Sequence, residues 1–155
     1  MARSHTEARI DTPAAFQARF GISNAVREKL ETYETLLKKW QKTINLVAPS
    51  TLDDIWDRHF ADSAQLWPLR SPEAKTWLDL GSGAGFPGLV LAILASETGQ
   101  THHTLVESDS RKAAFLREVA LSETYQRTFE MPANLAEIAE TVRPKVPALE
   151  AEAKR

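Results

Sequence analysis

The stretch WLDLGSGAGFPGLVLA, Trp77 to Ala92, carries four of the chain's six glycines within eight positions. Two templates overlap there. Gly83 to Gly88 reads G-x-G-x-x-G, the fingerprint of a dinucleotide site. Asp79 to Gly85 reads D-x-G-x-G-x-G, the turn typical of S-adenosylmethionine (SAM) sites. An ordinary tight turn needs glycine only where φ is positive. Three alternating glycines and a fourth exceed that need.

The flanks place the loop. TWLDL before it predicts a short buried strand, and the apolar run from Pro87 to Ser96 predicts a helix after it. HTLVE predicts a second buried strand that ends on an acid, Glu107. Asp109 or Ser110 then caps a helix, RKAAFLREVALSETY, whose apolar stripe includes Ala114, Phe115 and Val119. Residues 76–125 thus read strand, glycine loop, helix, strand, helix. That is the first half of a doubly wound α/β sheet.

Electrostatics separates the two ligands. A diphosphate wants a helix N-terminus and no anion beside it. Asp79 stands just before the first glycine, where its carboxylate opposes a diphosphate and suits the ammonium and sulfonium of SAM. Pro87 removes one backbone N–H from the helix start. Glu107 suits ribose hydroxyls in either ligand and does not discriminate. The balance favours SAM.

Upstream, the chain predicts helices. Asp11 or Thr12 caps a short one with Pro13 at its first position and Gly21 as its stop. Ser23 or Asn24 opens the next, with Val26, Leu30, Tyr33, Leu37 and Trp40 as its stripe and Arg27, Lys38, Lys39 and Lys42 opposite. NLVAPS breaks it. A third helix is expected over STLDDIWDRHFADSAQLWP, with Ser50 or Thr51 as cap, Asp53 and Asp54 near its positive end, and Pro68 closing it. Its inner face holds Ile55, Trp56, His59, Phe60, Ser63 and Trp67. Downstream, RTFEM suggests a short strand. ANLAEIAETV suggests a short helix with Leu135, Ile138 and Val142 on one side, and RPKVPALEAEAKR a tail. The expected division is a helical segment over 1–70 packed on the core, an α/β half-domain over 71–125 and a C-terminal tail over 126–155.

Composition sets the outer bounds. A chain of 155 residues with 43% apolar and 26% charged residues and a net charge of -2 suits one folded domain rather than a disordered chain. The near-neutral charge does not advertise nucleic-acid binding, although a local basic patch remains compatible with it. No cysteine is present, which excludes disulfides, zinc–thiolate sites and cysteine nucleophiles. His102 and His103 have no metal-spaced partner, so no metal site is expected. With a polar N-terminus and no apolar span, the expectation is a soluble cytoplasmic protein without membrane partners.

LDLGSGAGFPGLVLAI followed by TLVESDSRKAAFLREVA resembles the small-subunit ribosomal RNA methyltransferase G family, also called glucose-inhibited division protein B. WQKTINLVAPS and RHFADS fit its N-terminal pattern, so the resemblance covers about residues 24–120. It implies a Rossmann-like SAM-dependent methyltransferase fold, with N7 of a guanine in small-subunit (16S) ribosomal RNA as the target. It implies that Gly81 and Phe86 lie against SAM, and that Gly83 and Gly85 let the backbone approach it. Glu107 matches the ribose-binding acid. Arg58, His59, Asp62 and Ser63 match a motif near the cofactor mouth, and Asn45 matches the asparagine of the NL motif at the same edge. Arg111 and Lys112 are placed to meet cofactor or RNA.

After Ala120 the family's third strand, adenine-contacting turn, fourth strand and arginine-bearing loop are not recognisable, so the sheet is expected to be incomplete toward the C-terminus. The alternatives are an NAD-type oxidoreductase fragment and a non-catalytic remnant of the methyltransferase. The bland readings also stand. His59 fits a half-buried helix histidine, Arg58 and Asp62 fit an i, i+4 surface ion pair, and Lys38, Lys39 and Lys42 fit a solvated face as well as an RNA-phosphate patch.

Overall fold

In the computed structural model, which describes residues 8–99, 101–122 and 129–130, Thr12 opens the first helix. Its hydroxyl accepts the Ala15 N–H, Pro13 occupies the first turn, and α1 (Pro13–Phe20) ends on Gly21 at φ 63°. Ser23 caps α2 (Asn24–Gln41) through the Val26 N–H. Val26, Leu30, Tyr33 and Leu37 are buried along one face of α2, as the spacing predicts, with Trp40 half-buried at its end. Burying each large side chain of such a stripe contributes roughly 1.5–3 kcal/mol.

The third predicted helix is corrected. Residues 49–69 form a chain of short turns: a 3-10 turn Pro49–Asp54, a π turn Trp56–Ala61, α3 (Asp62–Ala64) and a second 3-10 turn Trp67–Leu69. Neither Ser50 nor Thr51 is the cap. Ala48 holds that position with no side-chain bond, and Thr51 Oγ1 donates back to the Ala48 carbonyl at 2.8 Å. Asp54 pairs with Arg9 instead of serving a helix end. Pro68 lies inside the last turn rather than closing a helix. The wider π turn packs Trp56, Phe60 and Ala61 inward together. His59 and Trp67, placed on the inner face by the sequence, are only half-buried, while Ala64 is buried.

The sheet is parallel, in the order β1 (Thr76–Leu80), β2 (His102–Val106), β3 (Phe129–Glu130), with Trp77 opposite His103 and Asp79 opposite Leu105. β1 is not the buried strand predicted from TWLDL. Its middle is half-buried and Leu80 is 64% exposed, because among the described residues only β2 flanks it. β2, paired on both sides, is buried from His103 to Val106. His103 stacks on Trp77 at 6.0 Å and 6°, bonds Thr101 Oγ1 at 3.0 Å, and leaves its Nδ1 buried without a partner among the described residues. Burial lowers its pKa to about 4, with His102 adding to the shift.

Between sheet and N-terminal helices runs α4 (Gly88–Ala95), all eight of whose residues are buried. A helix apolar on every side fits only where both sides are covered. Asp109 caps α5 (Ser110–Ser122), its Oδ1 accepting the N–H of Arg111 at 2.9 Å and of Lys112 at 3.2 Å. Phe115, Leu116 and Val119 are its buried face, and Ala114 is only half-buried. One apolar cluster joins α1, α2, the turns, α4, β2 and α5. Among the described residues no helix is long and apolar enough to cross a membrane. The expected helix over ANLAEIAETV and the tail after it lie outside the described residues.

Candidate functional site

The glycine loop leaves β1 at Leu80 and enters α4 at Gly88. Its first half is open. Among the described residues, a side chain placed on Gly81 would meet nothing within 4 Å, and one on Gly83 only the Gly81 carbonyl oxygen at 4.0 Å. Its second half is filled. A Cβ on Gly85, where φ is 95°, would meet the Tyr33 hydroxyl, Leu89 Cβ at 2.9 Å and Leu116 Cδ2 at 3.0 Å. A Cβ on Gly88 would stand 2.5 Å from Asp79 Oδ2 and 2.8 Å from Asp79 Cβ. The need for glycine at 85 and 88 therefore comes from the protein's own packing.

Two carboxylates fix this loop. Asp79 Oδ2 accepts the Gly88 N–H at 3.1 Å, so the start of α4 carries its own anion. Burial raises the Asp79 pKa, hydrogen bonds from Gly88 and Ser82 oppose the rise, and the Glu107 charge adds to it. Glu107 follows β2 and joins the two βα turns: Oε2 accepts the Gly83 N–H at 2.6 Å and Oε1 the Asp109 N–H at 2.9 Å. Among the described residues no lysine or arginine forms an ion pair with either acid. The open half of the loop thus adjoins uncompensated negative charge.

Phe86 is clasped between α2 and the π turn Trp56–Ala61. Tyr33 stacks on it at 5.5 Å and 15°, and His59 at 4.9 Å and 20°. Tyr33 donates its hydroxyl to the Ala84 carbonyl, and its burial, then Asp79, raises its pKa well above the ordinary tyrosine value. His59 shares a 2.7 Å hydrogen bond with Thr51. Burial, then Arg58, lowers the His59 pKa, while Asp62 pulls the other way. A neutral ring wedged behind Phe86 positions the loop. The sequence places Tyr33 only in a core stripe. An aromatic at that spacing carries no signal of a bond to a loop far along the chain.

The other candidates are scattered. Ser63 is buried, and Arg58 and Asp62 are exposed one turn apart without an ion pair between them among the described residues. Asn45 is exposed, and its Oδ1 accepts from Gln41 Nε2 at 3.4 Å. Gln41, which the sequence did not single out, holds the NL turn by accepting the Leu46 and Val47 N–H groups at 3.0 Å each. Lys38 pairs with Glu34 at 2.7 Å, Lys39 with Glu118 at 3.3 Å and Arg111 with Asp109 at 3.7 Å. Lys42 is exposed past the end of α2, and Lys112 is half-buried on α5.

Two adjoining hollows lie between α1 and α3, of about 660 and 540 Å³. The first reaches Phe86 and Pro87, and the second reaches Arg58.

Comparison with known proteins follows the same residues. The profile of a family described as rRNA small subunit methyltransferase G matches residues 26–131. A protein of Rhodospirillum centenum named ribosomal RNA small subunit methyltransferase G is 62% identical over 105 residues, 68% of this chain and 47% of that protein. Its namesake from Sinorhizobium fredii is 49% identical over 142 residues, 92% of this chain and 65% of that protein. The chain spans about half the length of the curated relatives it matches.

Proposed function

The chain belongs to the rRNA small subunit methyltransferase G family, and from that premise we propose that it carries the cofactor half of a Rossmann-like SAM-dependent enzyme. Its target is N7 of a guanine in 16S ribosomal RNA, which puts its work in the cytoplasm. The proposed parts are the helical segment 1–70, the cofactor-binding α/β part 71–125 and a tail over 126–155.

The observation that carries the reading is the carboxylate of Asp79 on the Gly88 N–H. A diphosphate would need that helix start, and the protein has already given it an anion. An adenosyl sulfonium with an ammonium group has the opposite requirement. The open edge at Gly81 and Gly83, beside the mutually repelling Asp79 and Glu107, supplies room and negative charge together. Glu107 has lone pairs beyond those used by Gly83 and Asp109, and these would hold ribose hydroxyls.

When bound, SAM supplies an electrophilic methyl group. A guanine N7 would present a neutral lone pair and carry no proton, so the protein would need no general base. Its contribution is position and the exclusion of water. Tyr33 and His59 hold Phe86, Asp79 fixes the end of the loop against α4, and Glu107 fixes its middle.

Calorimetry with SAM and with its demethylated product tests the cofactor. Saturable binding that Gly83→Val abolishes is expected, and no heat at millimolar ligand would sink the reading. Mass mapping of ribosomal RNA from a deletion strain complemented with this chain tests the reaction. Restored methylation at guanine N7 is the supporting result.

A further inference from the structure

Phe86 is held from two sides, and the two sides are unequal. Tyr33 is fully buried and anchored by its own hydrogen bond to the Ala84 carbonyl, which leaves that ring fixed. His59 is only half-buried and belongs to the short π turn. Among the described residues its ring is bonded by Thr51, at 2.7 Å. The torsion that sets the plane of an imidazole is soft. That bond therefore keeps the ring flat against Phe86, at 4.9 Å and 20°.

The turn around Thr51 decides where the proton of this bond sits. Thr51 Oγ1 lies 2.8 Å from the Ala48 carbonyl oxygen. Two oxygens meet at that distance only with a hydrogen between them, and a carbonyl has none to give. The single hydroxyl proton of Thr51 is thus directed at Ala48, whose oxygen also accepts the Thr51 N–H at 2.9 Å. Toward His59 the hydroxyl can only accept. The proton in the 2.7 Å contact must then be carried by His59 Nε2, which donates it. Burial, then the Arg58 charge, lowers the pKa of the ring, with Asp62 opposing, so the neutral form is favoured. In that form a proton fixed on Nε2 leaves Nδ1 as a bare acceptor.

We propose that Thr51 is a positioning residue of the glycine loop: its hydroxyl fixes both the tautomer and the plane of His59 and, through that ring, the seat of Phe86. The effect passes through two contacts, one hydrogen bond and one aromatic stack. A serine keeps the hydroxyl and can do the same. A valine keeps the branched shape and cannot, because it offers Nε2–H no acceptor. The consequence for a ligand rests on the SAM reading; the place of the proton on His59 does not.

Nitrogen-15 NMR of the whole chain reads the proton directly. The native chain and Thr51→Ser should both carry it on His59 Nε2, protected from exchange with water. Thr51→Val should lose that protection, a change that a loss of packing elsewhere would not produce. A proton on Nδ1 in the native chain overturns the proposal whether or not Thr51→Val folds. So does an Nε2 proton that stays equally protected in Thr51→Val. Calorimetry with SAM on the same three proteins reads the loop. Thr51→Val should weaken SAM about three- to tenfold, the scale of one hydrogen bond, and Thr51→Ser should bind as the native chain does. Equal affinity in Thr51→Val and the native chain, or an equal loss in Thr51→Ser, overturns the positioning role. The two measurements separate the readings. A protected Nε2 proton in a native chain that binds no SAM overturns the cofactor reading and leaves the hold of Thr51 on His59 standing. SAM binding with the proton on Nδ1 overturns the role of Thr51 alone.

Discussion

Gly81 and Gly83 look onto open space, whereas the same position at Gly85 and Gly88 is taken by Tyr33, Leu89, Leu116 and Asp79. Four glycines of one loop therefore answer to two different demands. The first pair leaves room for a ligand to come close. The second pair lets a helix, a tyrosine and a carboxylate come close. A motif written only as spaced glycines does not distinguish them, and the difference decides what each substitution should do.

The sharpest way to break the contrast is Gly85→Val. Overpacking against Leu89 and Leu116 and a positive φ together should cost on the order of 3 to 5 kcal/mol in urea unfolding. A stable Gly85→Val protein would mean that the inner half is not packed as described. Next comes the sheet beneath both halves. His103 is 1% exposed and its folded pKa is lowered from 6.5 to about 4. A group that resists protonation in the fold stabilises it fully above the unfolded pKa. That contribution is lost as pH falls from about 6.5 toward about 4, reaching about 3 kcal/mol at the acid end. Unfolding at stepped pH should show the slope, and His103→Gln should flatten it.

Asp79→Ala removes the anion at the start of α4 and should cost about 1 to 2 kcal/mol, as for a lost helix cap. It should also let phosphate raise the melting temperature, which the native chain should not show. Gly83→Ala is the mildest for the fold. Only its left-handed backbone is penalised, by about 1 kcal/mol, and its main effect should appear in SAM calorimetry. Should Gly83→Ala unfold the chain as Gly85→Val does, the two halves would not differ.

Much of this was legible in residue order. Thr12, Ser23 and Asp109 are the caps their residue types announce, and the strand–loop–helix alternation gives the α/β sheet. Residues 49–69 were not legible. Their apolar positions satisfy a helical period, and a π turn leaves no mark in spacing. β1 misled for another reason: an apolar run reports what a strand can bury, not how many neighbours it has. At the site, Asp79 stood out because it stands just before the first glycine, Glu107 because it ends the second strand, and Phe86 through the family resemblance. Tyr33 and Thr51 did not, since their relation to the loop exists only after the chain has folded back on itself.

The stack of Tyr33, Phe86 and His59 has a further consequence. Two of its three rings belong to α2 and the π turn ahead of the sheet, so those elements act as the mould in which the loop sets. A fragment beginning at β1 would contain every letter of the motif and lack its shape. The working motif is longer than the written one, and its missing letters are at positions 33 and 59.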